Sequence, residues 1–309
     1  MYTLEARHIH KAYSGHKALN DVSVSVKEGS VFGLLGPNGA GKTSLIRIIN
    51  QITGPDEGEV LFRGEKLKPD HVGLIGYLPE ERGLYKKMKI GEQCMYLAQL
   101  KGLKSADARM RLMAWFKRFD IDTWWDKKVE DLSKGMAQKV QFITTVLHEP
   151  KLLILDEPFS GFDPINAELI RNEMLRLKSE GSTIILSTHD MGSVESLCDE
   201  IALINRASVI LGGSVKDVKN QFRKNVFELQ YRGYAMDLGI GLWANFELIE
   251  NVKGDDSSTA LIRIPEGKKL NDLLSILLKD LEIVGVREVV PDMNQIFIEA
   301  VNTFNAQQS

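Results

Sequence analysis

The pattern of apolar and polar positions changes period several times along the chain, and each change predicts a different kind of element. Residues 22–26 alternate with a period of two, so the first forty residues predict strands joined by polar turns. The largely apolar segment at 30–35 predicts a buried strand, and residues 44–49 predict a helix after the glycine-rich stretch that follows it. Residues 54–62 predict a turn followed by another strand.

The middle of the chain changes to the spacing of helices. Between positions 90 and 131, apolar side chains recur at Met95, Leu97, Leu100, Met110, Leu112, Met113, Phe116 and Phe119. This spacing predicts a helical subdomain. From 152 to 211, short apolar runs alternate with helical segments, which predicts the parallel sheet of an α/β fold.

The last third of the chain predicts a second, smaller domain. A polar stretch that opens with Gly212, Gly213 and Ser214 and reaches Asn225 predicts a boundary. Beyond it the pattern predicts strands at 227–231, 246–250, 260–264 and 283–290, and helices at 270–281 and 292–301. We therefore expect one domain at 1–215 and a small α+β domain at 226–302, with 303–309 as a frayed tail.

Composition and charge narrow the class of protein. The chain has 309 residues, 43% of them hydrophobic and 26% charged, which is typical of a globular protein. The sequence has no apolar run near the roughly 18 residues of a membrane span, and no signal-peptide pattern at its start. Two cysteines, Cys94 and Cys198, are too few for a disulfide framework. These features predict a cytosolic protein.

Charge is unevenly distributed along the chain. The formal net charge is -3, yet residues 226–309 alone carry seven Lys/Arg against 13 Asp/Glu. Because an acidic domain is a poor partner for phosphate backbones, we expect no nucleic-acid partner.

The most specific motif lies between the first buried strand and the first helix. The nucleotide-phosphate loop pattern G-x-x-x-x-G-K-[ST] is met by Gly36, Pro37, Asn38, Gly39, Ala40, Gly41, Lys42 and Thr43, with Ser44 following. The glycines let backbone N–H groups face the phosphates, and the helix N-terminus adds partial positive charge. We expect Lys42 to neutralise the outer phosphates and the Thr43 hydroxyl to bind Mg²⁺.

Two adjacent carboxylates follow the apolar run at 152–155, which comes directly after Lys151. A buried strand should not end in paired acids unless they meet a cation or a reacting group. We expect Asp156 to hold Mg²⁺ through water and Glu157 to polarise an attacking water molecule.

With these motifs in this order, the chain resembles an ATP-binding-cassette (ABC) ATPase over roughly residues 3–215. The resemblance implies a P-loop NTPase core with an antiparallel β subdomain and a helical subdomain at about 90–131. It implies that Tyr13 stacks on the adenine of ATP. Glu80 stands where the family has a glutamine that contacts Mg²⁺. His189 matches the switch histidine, which contacts the γ-phosphate and orients the water held by Glu157.

The segment 132–138 resembles the family's signature motif, usually L-S-G-G-Q. Here Lys134 replaces a glycine and Met136 replaces the glutamine, whereas Ser133 and Gly135 are kept. We expect Ser133 to cap a helix that begins at Lys134. In the family these groups bind the γ-phosphate of ATP held by the opposing subunit.

A further match concerns contact between subunits. Ser160, Gly161 and Asp163 match the loop through which two such domains communicate across their interface. Since the chain contains one phosphate loop and one signature, the resemblance implies that a homodimer completes two sites.

The resemblance implies an ATP-hydrolysing subunit that works with ATP and Mg²⁺ at the cytoplasmic face of the membrane. It would power an integral membrane permease encoded separately. The small C-terminal domain resembles the extension on ATP-binding subunits of bacterial sodium-efflux and drug-export transporters, which implies export. Two alternatives stay open: a soluble cassette ATPase that acts in translation or DNA repair, and a nucleotide-sensing regulatory protein without sustained turnover.

Overall fold

Short apolar runs become strands and amphipathic runs become helices in the computed structural model, which describes residues 1–81, 83–233 and 246–308. The strands up to residue 214 are β1 (Tyr2–Tyr13), β2 (His16–Lys27), β3 (Val31–Leu35), β4 (Glu57–Phe62), β5 (Glu65–Lys66), β6 (Ile75–Leu78), β7 (Leu152–Asp156), β8 (Thr183–Ser187), β9 (Glu200–Asn205) and β10 (Ser208–Ser214). The helices in the same range are α1 (Lys42–Ile49), α2 (Ile90–Leu100), α3 (Ser105–Arg118), α4 (Lys134–Val146), α5 (Pro164–Ser179) and α6 (Met191–Leu197). Short 3₁₀ turns occupy Pro69–Leu74, Asp122–Trp124 and Val129–Asp131.

The central sheet has six strands in the order β10-β9-β3-β8-β7-β6. Strands β9, β3, β8, β7 and β6 run parallel to their neighbours, whereas β10 pairs antiparallel with β9. Every residue of β3, β7 and β8 is buried. This burial explains why those strands are apolar without alternation, because helices or a second sheet must cover both faces of a parallel sheet.

A second sheet is antiparallel and has the order β2-β1-β4-β5. Its inward-facing side chains alternate with exposed ones, as the period-two pattern of β2 predicts. The main core of this half of the chain joins both sheets with helix α1, and it includes Leu4, Ile9, Val26, Leu45 and Ile154. Packing α1 here holds the preceding loop against the carboxyl ends of the parallel strands.

The chain divides into two compact units. The first contains Met1–Val215 and the described residues from Phe297 onward, and the second contains Lys216–Ile296. The remaining elements are α7 (Val215–Gln221), β11 (Val226–Arg232), β12 (Glu247–Val252), β13 (Ser258–Arg263), α8 (Leu270–Leu277), β14 (Glu282–Glu288) and α9 (Met293–Gln307). The strands of the second unit form an antiparallel sheet in the order β12-β13-β11-β14, and α8 packs its buried Leu273 and Leu277 on that sheet.

The structure corrects the sequence interpretation of residues 208–225. Gly212 and Gly213 lie inside β10, paired with Ala202 and Ile201, and helix α7 occupies part of the expected polar boundary stretch. The expectation of a parallel arrangement throughout 152–211 is wrong at β10. Only the two residues Arg206 and Ala207 separate β10 from β9, and a parallel crossover needs a dozen or more.

The expected frayed tail is also wrong for most of its length. Helix α9 continues through 303–307, well beyond the predicted end at residue 301. Phe297, Val301 and Phe304 are partly buried at helical spacing, whereas the intervening Asn302 and Thr303 are exposed. One face of the helix is therefore packed, which explains why the tail is ordered.

No helix in the part of the chain that the structure describes has both the length and the apolar content to cross a membrane.

We predict that Gly91→Ala destabilises the helical region. Gly91 lies in α2, donates its N–H to the Trp125 carbonyl at 2.9 Å, and has no room for a Cβ because that atom would overlap the Trp125 indole. Such overpacking costs about 1–3 kcal/mol. Urea unfolding should show the loss, with Gly73→Ala as the matched control because a Cβ there meets no atom within 4 Å. Equal midpoints for the two variants would contradict this packing.

Candidate nucleotide-binding site

A cleft of about 310 Å³ opens at the carboxyl ends of β3 and β7, beside the N-terminus of α1. This edge is where open α/β sheets bind their ligands. The cleft is lined by Tyr13, His16, Ala18, Asn38, Gly39, Ala40, Gly41, Lys42, Thr43, Ser44, Glu80, Asp156, Glu157 and His189. The structure thus brings together the phosphate loop, both strand-end acids, Tyr13, Glu80 and His189, which are far apart in sequence.

Two glycines of the phosphate loop are required by close backbone contacts. Gly36 and Gly41 have φ values of 148° and 120°, in the region that favours glycine. A Cβ on Gly36 would overlap the carbonyl oxygen of Ile204, and one on Gly41 would overlap that of Ala18. The loop therefore packs directly against β9 and β2, and these two contacts fix its curvature.

Lys42 begins helix α1 and is buried. Its Nζ donates hydrogen bonds to the carbonyls of Gly36 at 2.6 Å and Pro37 at 3.2 Å. Burial lowers the pKa of Lys42, and the charges of Glu157, Asp156 and Glu80 oppose that effect. Neither a side-chain cap nor an acid occupies the first turn of α1, so the helix N-terminus faces the cleft as an anion site.

Asp156 ends β7 and is 5% exposed. Burial raises the pKa of its carboxyl group, and the charges of Glu80 and Glu157 act in the same direction. A carboxylate held under these conditions favours a cation.

The oxygen donors around the cleft fit Mg²⁺. Thr43, Asp156 and Glu80 all line it, and Mg²⁺ prefers hard oxygen ligands. Among the residues that the structure describes, no three His, Cys, Asp or Glu side chains are grouped closely enough to hold a metal by themselves. This donor set suits Mg²⁺ that arrives with nucleotide phosphates, because Mg²⁺ commonly uses one or two carboxylates plus substrate phosphate.

Glu157 and His189 form the closest pair of functional side chains in the cleft. His189 Nδ1 lies 2.7 Å from Glu157 Oε1, and the His189 backbone N–H donates to the same oxygen at 3.0 Å. The Thr188 hydroxyl donates to the other carboxylate oxygen at 3.2 Å. Glu157 is thereby fixed with 14% of its side chain exposed, whereas 74% of the His189 side chain is exposed.

Some residues at this site were not singled out from the sequence. Thr188 holds Glu157, and Lys11 Nζ lies 5.5 Å from the centre of the Tyr13 ring, so one face of that ring meets a cation. Thr188 directly precedes His189, so the match of His189 to the family motif is the sequence signal that could have identified Thr188. Lys11 carries no motif, and it lies two residues before Tyr13 on the same strand, β1.

The signature residues lie outside this cleft. Ser133 caps helix α4, as predicted, and its Oγ accepts a hydrogen bond from the Met136 N–H at 3.3 Å. Lys134 Nζ lies 3.4 Å from Ser160 Oγ, and its stem covers Gly161, where a Cβ would overlap it. The structure describes all of residues 133–136, and none of them lines the cleft.

The segment 160–163 joins these two parts of the first unit. The Ser160 N–H donates to the Glu157 carbonyl at 3.1 Å, and the Ser160 carbonyl accepts a hydrogen bond from the Gln138 side chain on α4. Asp163 caps helix α5 by accepting from the Asn166 N–H at 2.9 Å, and this bond holds the pKa of Asp163 below its usual value. Asp163, which the sequence predicts to contact the other subunit, therefore also stabilises the N-terminus of α5.

A phosphate loop at a strand–helix junction, with a buried acid, a second acid and a histidine at the neighbouring strand ends, defines a P-loop nucleotide-binding protein. Comparison with known proteins specifies the family. The family model for ABC transporters matches residues 19–160, and the model for the C-terminal domain of DrrA1-3-like ATP-binding proteins matches residues 213–301.

Individual relatives agree with these matches. The chain is 44% identical over 220 residues to the uncharacterized ABC transporter ATP-binding protein YhaQ of Bacillus subtilis, covering 71% of this chain and 74% of that protein. It is 33% identical to the linearmycin resistance ATP-binding protein LnrL of Bacillus subtilis, covering 70% of each. A solved ATP-binding subunit of an ABC transporter has a TM-score of 0.67 and 31% identity, covering 71% of this chain and 93% of that one.

The chain therefore belongs to the ABC transporter ATP-binding proteins, a family of ATPases that bind ATP and associate with membrane permeases. The predicted α/β fold with its P-loop core is confirmed.

We predict that Asp156→Asn raises the thermal unfolding midpoint of the nucleotide-free protein at pH 7. Because burial raises the pKa of this carboxyl group, its charge costs stability at any pH above its pKa in the folded protein. Removing the charge should raise the midpoint by about 2–4 °C, which corresponds to about 1 kcal/mol in a domain of this size.

The gain should vanish below the ordinary Asp pKa of about 3.9, where both states of the wild-type carboxyl are neutral. Asp131→Asn, at an exposed position, is the control and should leave the midpoint unchanged. A lower midpoint for Asp156→Asn at pH 7 would mean that the carboxylate stabilises the fold.

Proposed function

We propose that two copies of this chain bind and hydrolyse two ATP–Mg²⁺ complexes at their interface, and so power a separately encoded integral membrane permease. The ATP-binding domain would span 1–215, with its helical subdomain at about 90–131, and the accessory domain would span 226–302. The protein would be cytoplasmic and peripheral, held at the membrane by the permease.

The contact between Glu157 and His189 carries the catalytic part of the proposal. Their side chains meet at 2.7 Å in the cleft that also holds the phosphate loop. Glu157 is positioned to accept a proton or hydrogen bond from the attacking water, and the exposed His189 side chain to contact the γ-phosphate. Lys42 and the loop N–H groups would stabilise charge on the transferred phosphoryl group.

Thr43, Asp156 and Glu80 are the residues that would hold Mg²⁺. Bound there, Mg²⁺ would supply positive charge to the β- and γ-phosphate oxygens. Tyr13 at the rim of the cleft would stack on the adenine ring. Its exposed fraction of 40% leaves ring surface for that contact.

Pairing of two copies is supported by the location of the signature. Ser133, Lys134, Gly135 and Met136 stand outside the cleft of their own chain, at the N-terminus of α4. A helix N-terminus with a serine cap suits a phosphate, so these residues would bind the γ-phosphate held by the second copy. Ser160, Gly161 and Asp163 would then lie at the interface between copies.

A groove on the first unit suits the permease. It has a volume of about 370 Å³ and is lined by residues of β6, α2 and α4, among them Tyr77, Leu97 and Leu100. Burial lowers the pKa of His148 in this groove to about 4, so the imidazole is neutral at pH 7. Tyr85, 56% exposed, follows the groove's Gly83 and Leu84. Such a surface would accept an amphipathic segment of a membrane protein.

Export is the proposed direction. The support is the DrrA1-3-like match of residues 213–301 and the similarity to a protein named for linearmycin resistance. The acidic balance of residues 226–309 makes the C-terminal region a poor partner for the phosphate backbone of nucleic acid.

We predict that Glu157→Gln retains ATP binding but lowers ATP turnover by about 10²–10⁴-fold, because water activation alone is lost. The variant should accumulate as an ATP-bound dimer, visible by size-exclusion chromatography with light scattering. Lys42→Ala is the matched comparison, since it should weaken ATP binding itself. Turnover near wild type in Glu157→Gln would remove Glu157 from the role of base.

We predict that the wild-type chain, purified by affinity from gently solubilised native membranes, brings with it one polytopic membrane protein in stoichiometric amount. Mass spectrometry identifies that protein. Changing exposed Tyr85, next to Leu84 of the proposed groove, to Asp should reduce the recovery, because a charge would then face an apolar partner, whereas ATP turnover of the isolated chain should persist. Recovery of ribosomal or DNA-associated proteins instead would favour a soluble cassette ATPase.

A further inference from the structure

A buried amide links the C-terminal helix to the edge of the central sheet. Asn205 is the last residue of β9 and is 4% exposed. Its Nδ2 donates a hydrogen bond to Oδ1 of Asn305 at 3.1 Å. Asn305 lies near the end of α9, among the residues that belong to the first unit. A buried amide without such a partner would cost stability, so this bond fixes where the end of β9 meets α9.

The residues that follow Asn205 contact the phosphate loop. Arg206 and Ala207 form a tight turn with φ values of 44° and 67°. The Ala207 N–H donates to the carbonyl of Ala40, in the phosphate loop, at 3.1 Å. The Ala207 carbonyl accepts from the N–H of Asn20, on β2, at 2.7 Å. Both Ala207 and Ala40 are buried, so the turn is held between β2 and the loop.

The end of β9 also supports the loop at a second point. The Ile204 carbonyl oxygen lies so close to Gly36 that a Cβ there would overlap it. Residues 204 and 207 therefore contact the loop at Gly36 and Ala40, on either side of Asn38 and Gly39. A shift of the end of β9 would act on the backbone that curls around the phosphates, because Ile204 lies against Gly36 and Ala207 is hydrogen-bonded to Ala40.

We propose that Asn305 is a positioning residue for the ATP site. The side-chain carbonyl of Asn305 accepts the hydrogen bond from Asn205. Asn205 in turn fixes the Arg206–Ala207 turn against the phosphate loop. The inference rests on the proposed function only in assigning ATP to this cleft. The sequence alone predicts that the last turns of α9 are a frayed tail. In this proposal these turns instead have a specific effect on nucleotide affinity.

The test measures ATP affinity of the purified full-length chain by equilibrium titration, together with KM and kcat. Asn305→Ala removes the acceptor and should weaken ATP binding by about three- to tenfold, the upper end of this range being what the full energy of one hydrogen bond would give if it all appeared in binding. Asn305→Asp keeps an oxygen acceptor for the Asn205 amide and should restore affinity to within about twofold of wild type. Asn302→Ala, on the exposed side of the same helix, is the matched control and should leave affinity unchanged.

Two further variants guard against an effect on folding alone. Asn305→Leu keeps the side-chain volume, removes the acceptor, and should weaken ATP binding as Asn305→Ala does. The double variant Asn205→Ala with Asn305→Ala should bind ATP no more weakly than Asn205→Ala alone, because the two residues act through one bond. The loss should appear in KM, with kcat changed less, since Glu157 and His189 are untouched.

Unchanged ATP affinity in Asn305→Ala and Asn305→Leu, with a lower unfolding midpoint, would overturn the inference and leave Asn305 as a structural contact. Additive losses in the double variant would also overturn it. Failure of the proposed function has a different signature, because the wild-type chain would then bind ATP no better than Lys42→Ala.

Discussion

Buried charge of both signs is the constraint on which the nucleotide site depends. Asp156, Glu157 and Glu80 share one cleft with Lys42, and burial disfavours the charged forms of both Asp156 and Lys42. In the structure the lysine ammonium is satisfied by the loop carbonyls of Gly36 and Pro37. A magnesium–nucleotide complex would compensate charges of both signs, with the acids available to its cation and Lys42 and the loop N–H groups available to its phosphates. The chemistry of the ligand follows from the charges that the fold places out of water.

A strained backbone and one short loop connect this charge arrangement to the rest of the first unit. Glu157 has a φ of 48°, a conformation that costs a non-glycine residue about 1–3 kcal/mol. Its N–H donates to the Ser187 carbonyl at 2.8 Å, and its carbonyl accepts from Ser160. Ser160 in turn accepts from Gln138 on the signature helix. Gln138, Ser160 and Glu157 thus form a continuous hydrogen-bonded connection from helix α4 to the backbone of the acid.

Much of the site could be predicted because its chemistry is encoded locally. The phosphate loop has a contiguous pattern between a buried strand and a helix. The pair Asp156 and Glu157 ends an apolar run at a position where a buried strand would not ordinarily carry charge. The Ser133 cap is also a local signal, because its hydroxyl satisfies an N–H three residues away. The order of the strands in the parallel sheet then brings the phosphate loop and the two acids to one edge, as the rule for ligand sites in open α/β sheets predicts.

The features that sequence reasoning missed depend on contacts between distant residues. Nothing in the sequence near Lys134 indicates that its stem lies over Gly161, because that contact needs α4 and the 160–163 segment in their final places. The hydrogen bond between Asn205 and Asn305 spans 100 residues and involves two amides that could equally be solvated. A polar C-terminal segment with few apolar residues is ordinarily frayed, and what orders this one is the half-buried face of α9 together with a buried amide that needs a partner. Both features act together, because packing of one face of α9 offsets the entropy of ordering the helix and the Asn305 side chain satisfies the buried amide of Asn205.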